Sequence, residues 1–207
     1  NAVCFSLWLA GINQHDSFVV AWSPLISTIK KSFVKFFWNE QYGYLADCIG
    51  YSIPDWSIRP NQVFATSLHY SPLKRNQCIS ILKVVQNELL TPRGLRSLGI
   101  NNEQYIGRYQ GNQYSRDKAY HQGTVWPWLL GHFIEGYLKQ FKDQEALSFV
   151  ESIYRGFEPT LYEHGLGTIS EVFDGDAPHQ PGGAISQAWS VAELLRIRYL
   201  IQEAREL

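Results

Sequence analysis

The sequence predicts an all-α domain. Three observations carry that reading. Apolar residues recur at helical spacing in segment after segment, strand-like patterning is confined to residues 42–49, and long polar loops rich in glycine fall at every second junction. About seven helices are expected, alternating between segments apolar on all sides and segments with one wet face. That alternation implies two layers, an inner and an outer ring. It also puts every second junction at the same end, so the loops after Gly50, Gly94 and Gly165 are expected to gather on one face and hold a site there. The 207 residues suffice for a single helical domain, residues 1–207, with a sizeable core.

Residues 3–12 form the first helix. Phe5, Leu7, Trp8 and Leu9 make it apolar all round, so it is expected to be buried, and Gly11 and Asn13 end it. The second helix spans residues 24–38, with Pro24 in its first turn. Leu25, Ile26, Ile29, Phe33, Phe36 and Phe37 keep helical spacing, and Lys30, Lys31 and Lys35 take the wet face. Residues 39–45 read as a turn and a short extended piece. Arg59-Pro60-Asn61-Gln62 leads into a third helix, residues 63–69. Pro72 opens a fourth, which runs to residue 90 with Ile79, Leu82, Val85 and Leu89 on one face and breaks at Thr91-Pro92-Arg93-Gly94. A long loop, residues 97–123, follows; loops of this length in compact domains are usually functional. The fifth helix is 125–141 and the sixth 143–164. A glycine-rich loop covers 165–183, and the last helix, 184–203, is apolar at Ala188, Val191, Leu194 and Leu195.

Charge is nearly balanced at −1, and the 18 basic residues form no long run, which argues against nucleic acid as a partner. Cys4, Cys48 and Cys78 are odd in number, far apart and without metal-ligand spacing. They read as reduced packing residues of a cytoplasmic protein with no metal and no cofactor. No stretch is long and apolar enough for a membrane, and the apolar start lacks a basic leader. The chain contains no Met, initiator included, which points to a fragment or to methionines lost from the sequence.

Seven Trp residues leave rings over for a binding surface. Five aromatic rings gather in residues 109–128, where Tyr109, Arg116, Asp117, Tyr120, His121, Gln122, Trp126 and Trp128 combine charges, amides and flat rings. Sugars suit such a surface, because rings stack on their C–H faces and polar groups bond their hydroxyls. A long surface connection anchored by its aromatics is the plainer alternative. In Ile169-Ser170-Glu171-Val172-Phe173-Asp174-Gly175-Asp176 three carboxylates fall within six residues. Glycoside hydrolysis uses two carboxyl groups, and Glu171, between apolar neighbours, is the candidate. The alternative makes Glu171 a structural cap or ion-pair partner and Asp174-Gly175-Asp176 a turn. Arg59 and Asn61 could grip a hydroxyl pair or enter a helix; Trp189 could line a pocket or pack in the core.

Taken together and in order, Arg59-Pro60-Asn61-Gln62, residues 89–96, Tyr120-His121-Gln122-Gly123-Thr124-Val125-Trp126-Pro127-Trp128, residues 169–175 and Ala188-Trp189-Ser190 resemble the C-terminal, amylo-α-1,6-glucosidase domain of glycogen debranching enzymes. The resemblance covers essentially the whole chain. It implies an (α/α)6 toroid of twelve helices with the site at one mouth, and inverting hydrolysis of an α-1,6-linked glucose on a glycogen-like glucan. It also implies Glu171 as the base that activates water. The glucose would be held by Arg59, Asn61, Tyr109, Arg116, Asp117, Tyr120, His121, Gln122, Trp126, Asp174 and Trp189. The family's general acid is an Asp upstream of Asn1, and seven helices fall short of twelve. The chain is therefore expected to be the second half of the toroid, completed in cis or by a partner chain and inactive alone. Another α-glycosidase of the same fold, cleaving trehalose or another glucoside or mannoside, is the alternative; so is a sugar-binding protein without catalysis.

Overall fold

The computed structural model describes residues 1–50 and 53–206; the start of the loop after Gly50 lies outside the described residues. Nine α-helices appear among them: α1 Ala2–Ile12, α2 Asp16–Phe37, α3 Val63–Ser67, α4 Arg75–Glu88, α5 Gln113–Ala119, α6 Leu129–Gln140, α7 Gln144–Arg155, α8 Thr160–Glu163 and α9 Ala188–Arg205. The mainly helical reading holds, with differences that have physical causes.

Helix α6 is the hub. It packs against α3, α4, α7 and α9. Leu129, Leu130, Phe133 and Ile134 are buried on it, the last three completely. Each such side chain contributes roughly 1.5–3 kcal/mol on leaving water. Ile81, Leu82, Val85 and Leu89 from α4, Val150 from α7 and Ile197 and Ile201 from α9 close the same core. Glycine lets the helices come near: a Cβ on Gly136 would stand 2.3 Å from the Thr66 hydroxyl of α3.

Helix α1 is apolar as expected but not buried. Its one buried residue is Ala10, while Phe5, Trp8, Leu9 and Ile12 are exposed. Its main neighbour is α2, which buries no residue and exposes Phe18, Val20, Trp22, Leu25, Ile29 and Phe36. The two helices form a hairpin whose outer faces lack a cover. Pro24 does not open α2 but lies inside it. A proline there removes one helical hydrogen bond. Polar and apolar helix formers on both sides carry the helix through, and the Ser23 hydroxyl bonds the Val19 carbonyl at 2.6 Å.

The strand signals near residues 42–49 correspond to two antiparallel hairpins: β1 (Trp38–Asn39) with β2 (Tyr44–Leu45), and β3 (Cys48–Gly50) with β4 (Ile53–Asp55). A further sheet lies within the expected loops and helix ends. Strands β5 (Leu90–Thr91), β6 (Gly94–Arg96), β7 (Val125–Trp126), β8 (Val172–Phe173) and β9 (Pro181–Gly182) pair antiparallel in that order. Strands of two or three residues are too short to show a period of two. The pairing of Val125 with Phe173 stitches the long loop to the glycine-rich one. Gly94 (φ +138°) sits where a Cβ would be 2.6 Å from the Trp126 carbonyl, so strand β6 needs glycine to pass β7. The sixth helix stops at Arg155 and resumes as the single turn α8. The long loop contains α5, capped by Asn112, whose side chain accepts from the Ser115 amide at 3.0 Å. Of the cysteines, Cys78 packs in the core, Cys4 is half-buried and Cys48 is exposed, so Cys48 is no packing residue.

Candidate active site

The loops meet on one face, joined by side chains. Arg59 sits on the turn Pro60–Gln62 that leads into α3. Its guanidinium donates to the carbonyls of Ser97 (3.1 Å) and His121 (2.6 Å) and to the Gln122 amide oxygen (2.8 Å). Its planar fork suits three acceptors at once. Asn61 donates to Asp47 Oδ1 at 2.7 Å, and Arg59 Nε stands 3.8 Å from Asp47 Oδ2.

Above this polar floor lies a cleft of about 490 Å3, lined by Asp47, Arg59, Asn61, Trp126, Trp128 and Trp189, among others. That volume suits a small polar ligand. Its walls are a relay of rings. Trp128 stacks on Trp189 (5.6 Å, 27°), Trp189 meets Trp126 edge-on (6.1 Å), and Trp126 stacks on His121 (5.8 Å, 7°). Trp189 remains nearly half exposed on this face rather than packing in the core. Tyr120 touches both Trp126 (4.7 Å) and His121 (4.9 Å).

Glu171 stands on the far side of Tyr120. The Tyr120 hydroxyl donates to Glu171 Oε1, and the Ala184 amide donates to Oε2 at 2.8 Å. The Glu171 amide in turn donates to the Ala184 carbonyl at 2.9 Å. Its sequence neighbours Ile169, Val172 and Phe173 point into the core, leaving Glu171 among polar groups at the half-buried edge of the sheet. Burial, followed by the bond to Glu171, raises the Tyr120 hydroxyl well above its ordinary pKa, so it donates as a neutral phenol. A carboxylate with two fixed donors keeps lone pairs free for a water, as a general base requires.

A family model described as amylo-alpha-1,6-glucosidase matches residues 5–196. The chain belongs to the amylo-alpha-1,6-glucosidase family. It is 24% identical over 172 residues to the glycogen debranching enzyme of Saccharomyces cerevisiae, an alignment that covers 73% of this chain and 11% of that enzyme. Its backbone resembles part of a neutral trehalase from Saccharomyces cerevisiae, with a TM-score of 0.60 and 15% identity over 91% of this chain and 32% of that one. The second likeness is one of fold alone.

In this amylo-alpha-1,6-glucosidase family chain the candidate residues fall into three groups. His121, Trp126, Trp189, Arg59 and Asn61 line the cleft. Tyr120 and Glu171 stand together behind it, with Tyr109 against Tyr120 at 5.6 Å and Gln122 held by Arg59. The rest are not among the residues that line the cleft. Asp174 is buried, with a partner on each oxygen: Oδ1 accepts from the Tyr109 amide at 2.7 Å, and Oδ2 pairs with Arg108 at 3.2 Å. It holds the 105–109 segment against the sheet. Arg116 bonds the Gly111 carbonyl within its own turn, and Asp117 is exposed on α5.

Sequence reasoning passed over Asp47 and Ala184. Asp47 had no motif around it, and Ala184 contributes only its backbone. Asp47, Cys48 and Asp55 bring ligand-type atoms within 4.8 Å of one another. Asn61 already bonds Asp47 and the Ser57 amide bonds Asp55, so these residues are not assigned to a metal. Another cleft, about 430 Å3, opens beneath α2 between Phe33, Phe37, Phe64 and Leu68. Its walls are mostly carbon and offer a sugar few partners, so the site is placed in the polar cleft. Among the described residues, no helix is long and apolar enough to cross a membrane.

Proposed function

We propose that this chain supplies the general base and much of the sugar-binding wall of an inverting α-1,6-glucosidase that removes the glucose stub at glycogen-like branch points. The observation that carries the reading is the Glu171 carboxylate, oriented by Tyr120 and the Ala184 amide, one ring away from an indole-walled cleft. Glu171 would take a proton from water as that water attacks the anomeric carbon, while an acid on the other side of the sugar protonates the leaving oxygen. In inverting enzymes the two carboxyl groups stand roughly 6.5–9.5 Å apart, leaving room for the water. Trp126, Trp128 and Trp189 would stack on the glucose, and Arg59 and Asn61 would shape the floor.

The uncovered face of α1 and α2 supports a second part of the proposal. Contiguous exposed apolar surface of this extent marks an interface. The rest of an (α/α)6 toroid, in cis or from a partner, would cover it and bring the general acid. The 207-residue chain alone is then expected to release no glucose from isomaltose or a limit dextrin. The polypeptide that contains the completed toroid is expected to release β-glucose first, followed by NMR, and to lose that release on Glu171→Gln. Trehalose and α-mannosides belong in the same substrate panel. Turnover by the isolated chain, or α-glucose as the first product, overturns the reading.

A further inference from the structure

We propose that Asp47 is a sugar-binding residue, accepting a hydrogen bond through Oδ2 from one hydroxyl of the glucose stacked on the cleft's indoles. The proposal rests on the glucosidase reading and deepens it.

Asp47 lies where hairpin β1–β2 runs into hairpin β3–β4, and its position is fixed from several sides. Its amide donates to the Asp55 carbonyl at 2.8 Å, and the preceding Ala46 amide donates to the Phe37 carbonyl at 2.8 Å. Its side chain is 18% exposed and borders the cleft. Oδ1 is taken by Asn61 Nδ2 at 2.7 Å. Oδ2 has Arg59 Nε at 3.8 Å, too far for a hydrogen bond, and no closer donor among the described residues. A half-buried carboxylate with a spare acceptor oxygen therefore borders a cavity of hexose size. Carboxylates are acceptor-only and form the stronger, charge-assisted bonds to hydroxyls.

The other charged groups around the floor already have partners. Arg59 bonds Ser97, His121 and Gln122, and Asp55, on the paired strand, has Oδ1 capped by the Ser57 amide at 2.9 Å. The Ser57 bonds hold the Asp55 carboxyl below the usual range and commit its Oδ1 to its own turn. Asp47 Oδ2 is thus an acceptor with a free lone pair on the cleft that it shares with Trp126, Trp128 and Trp189. A sugar stacked on those rings turns its hydroxyl edge toward the floor.

The test uses the polypeptide that carries the completed domain, with the Trp fluorescence of the cleft reporting binding of glucose and of its 2-, 3-, 4- and 6-deoxy analogues. Asp47→Ala is expected to weaken glucose binding roughly 10- to 100-fold. A single deoxy analogue should bind the unaltered protein about as weakly as glucose binds the variant, and should lose nothing further in the variant. Asp47→Asn keeps an oxygen for Asn61 and turns an amide donor toward the cleft. It should fold with an unchanged melting temperature and discriminate against the same analogue less. If all four analogues weaken by the same factor as glucose on Asp47→Ala, or if glucose binding is unchanged, Asp47 is only a brace for Asn61 and the inference falls. If the unaltered protein binds none of these sugars, the glucosidase reading falls and takes this one with it.

Discussion

The Tyr120 hydroxyl donates to the Glu171 carboxylate across 51 positions of sequence. That bond joins the aromatic wall of the cleft to the carboxylate that the wall serves. Tyr120 packs on Trp126 and His121 with its ring and orients Glu171 with its oxygen. On the proposed reading, binding and chemistry share this one side chain.

Glu171→Gln keeps the shape of the side chain and removes its ability to take a proton. In the complete enzyme kcat is expected to fall roughly 10²–10⁴-fold, with the affinity for a glucose ligand nearly unchanged. Steady-state rates paired with calorimetric binding check it; an equal loss in both would make Glu171 a binding group.

Tyr120→Phe removes the donor and keeps the ring. Loss of a hydrogen bond to a charged group predicts a drop of about 10- to 100-fold in kcat with little change in KM. Because the hydroxyl's pKa is raised, this bond should persist through mildly alkaline pH. A rise in KM alone would return Tyr120 to the sugar-binding wall.

Gly183 has φ +68°, and a Cβ there would stand 2.5 Å from Glu171 Oε2. Gly183→Ala should therefore cost about 1–3 kcal/mol of stability from backbone strain and should also displace the carboxylate. Thermal melts and kcat, measured together, should both fall. Activity unchanged at reduced stability would show that Glu171 tolerates a shift.

Arg59→Lys leaves one ammonium where three acceptors were bridged. Residues 97–123 are expected to become more sensitive to limited proteolysis, and sugar binding to weaken about tenfold. Unchanged proteolysis with weaker binding would mean that Arg59 acts on the sugar itself.

Stability should respond to acid through the contact between α6 and α9. Burial, then the nearby Arg196, lowers the pKa of His132, so the folded protein holds it neutral. Its contribution is complete above the unfolded value near 6.5 and is lost as pH falls below it. Burial acts to raise the Glu135 pKa, but Lys139 and Arg196 outweigh it and the net shift is downward. That contribution is complete above about 4.5 and is lost as pH falls further. Melting temperature against pH should therefore decline in two steps, and His132→Gln should flatten the upper one.

Much of the domain was legible in periodicity. The apolar residues of α4 and α6 repeat at helical spacing because one face of each packs in the core; α4 forms near its expected bounds, whereas α6 begins at Leu129 rather than at residue 125, because Val125 and Trp126 pair in β7. The motif residues around Tyr120, Glu171 and Trp189 also stood out, because clustered rings and carboxylates are rare in plain surface loops. Helix α1 misled for a physical reason. Apolarity on all sides signals burial, but among the described residues α1 packs mainly on α2 alone, so Phe5, Trp8 and Leu9 face outward. Asp174 misled as well: a turn-like Asp-Gly-Asp reads as solvated, yet it is buried against Arg108 and the Tyr109 amide.

By itself the sequence determined the helical class and the order of the main helices, and it offered candidate rings for stacking on a sugar and a candidate carboxylate for a base. These follow from local pattern and side-chain chemistry. Only the tertiary structure decided which of them meet. Pairing Val125 with Phe173 brings Tyr120 to Glu171, the Arg59 fork draws in residues 97 and 121–122, and the β1–β4 hairpins present Asp47 to the cleft. Two-residue strands and single long-range hydrogen bonds leave no periodic trace in a sequence, because their partners lie dozens of residues away.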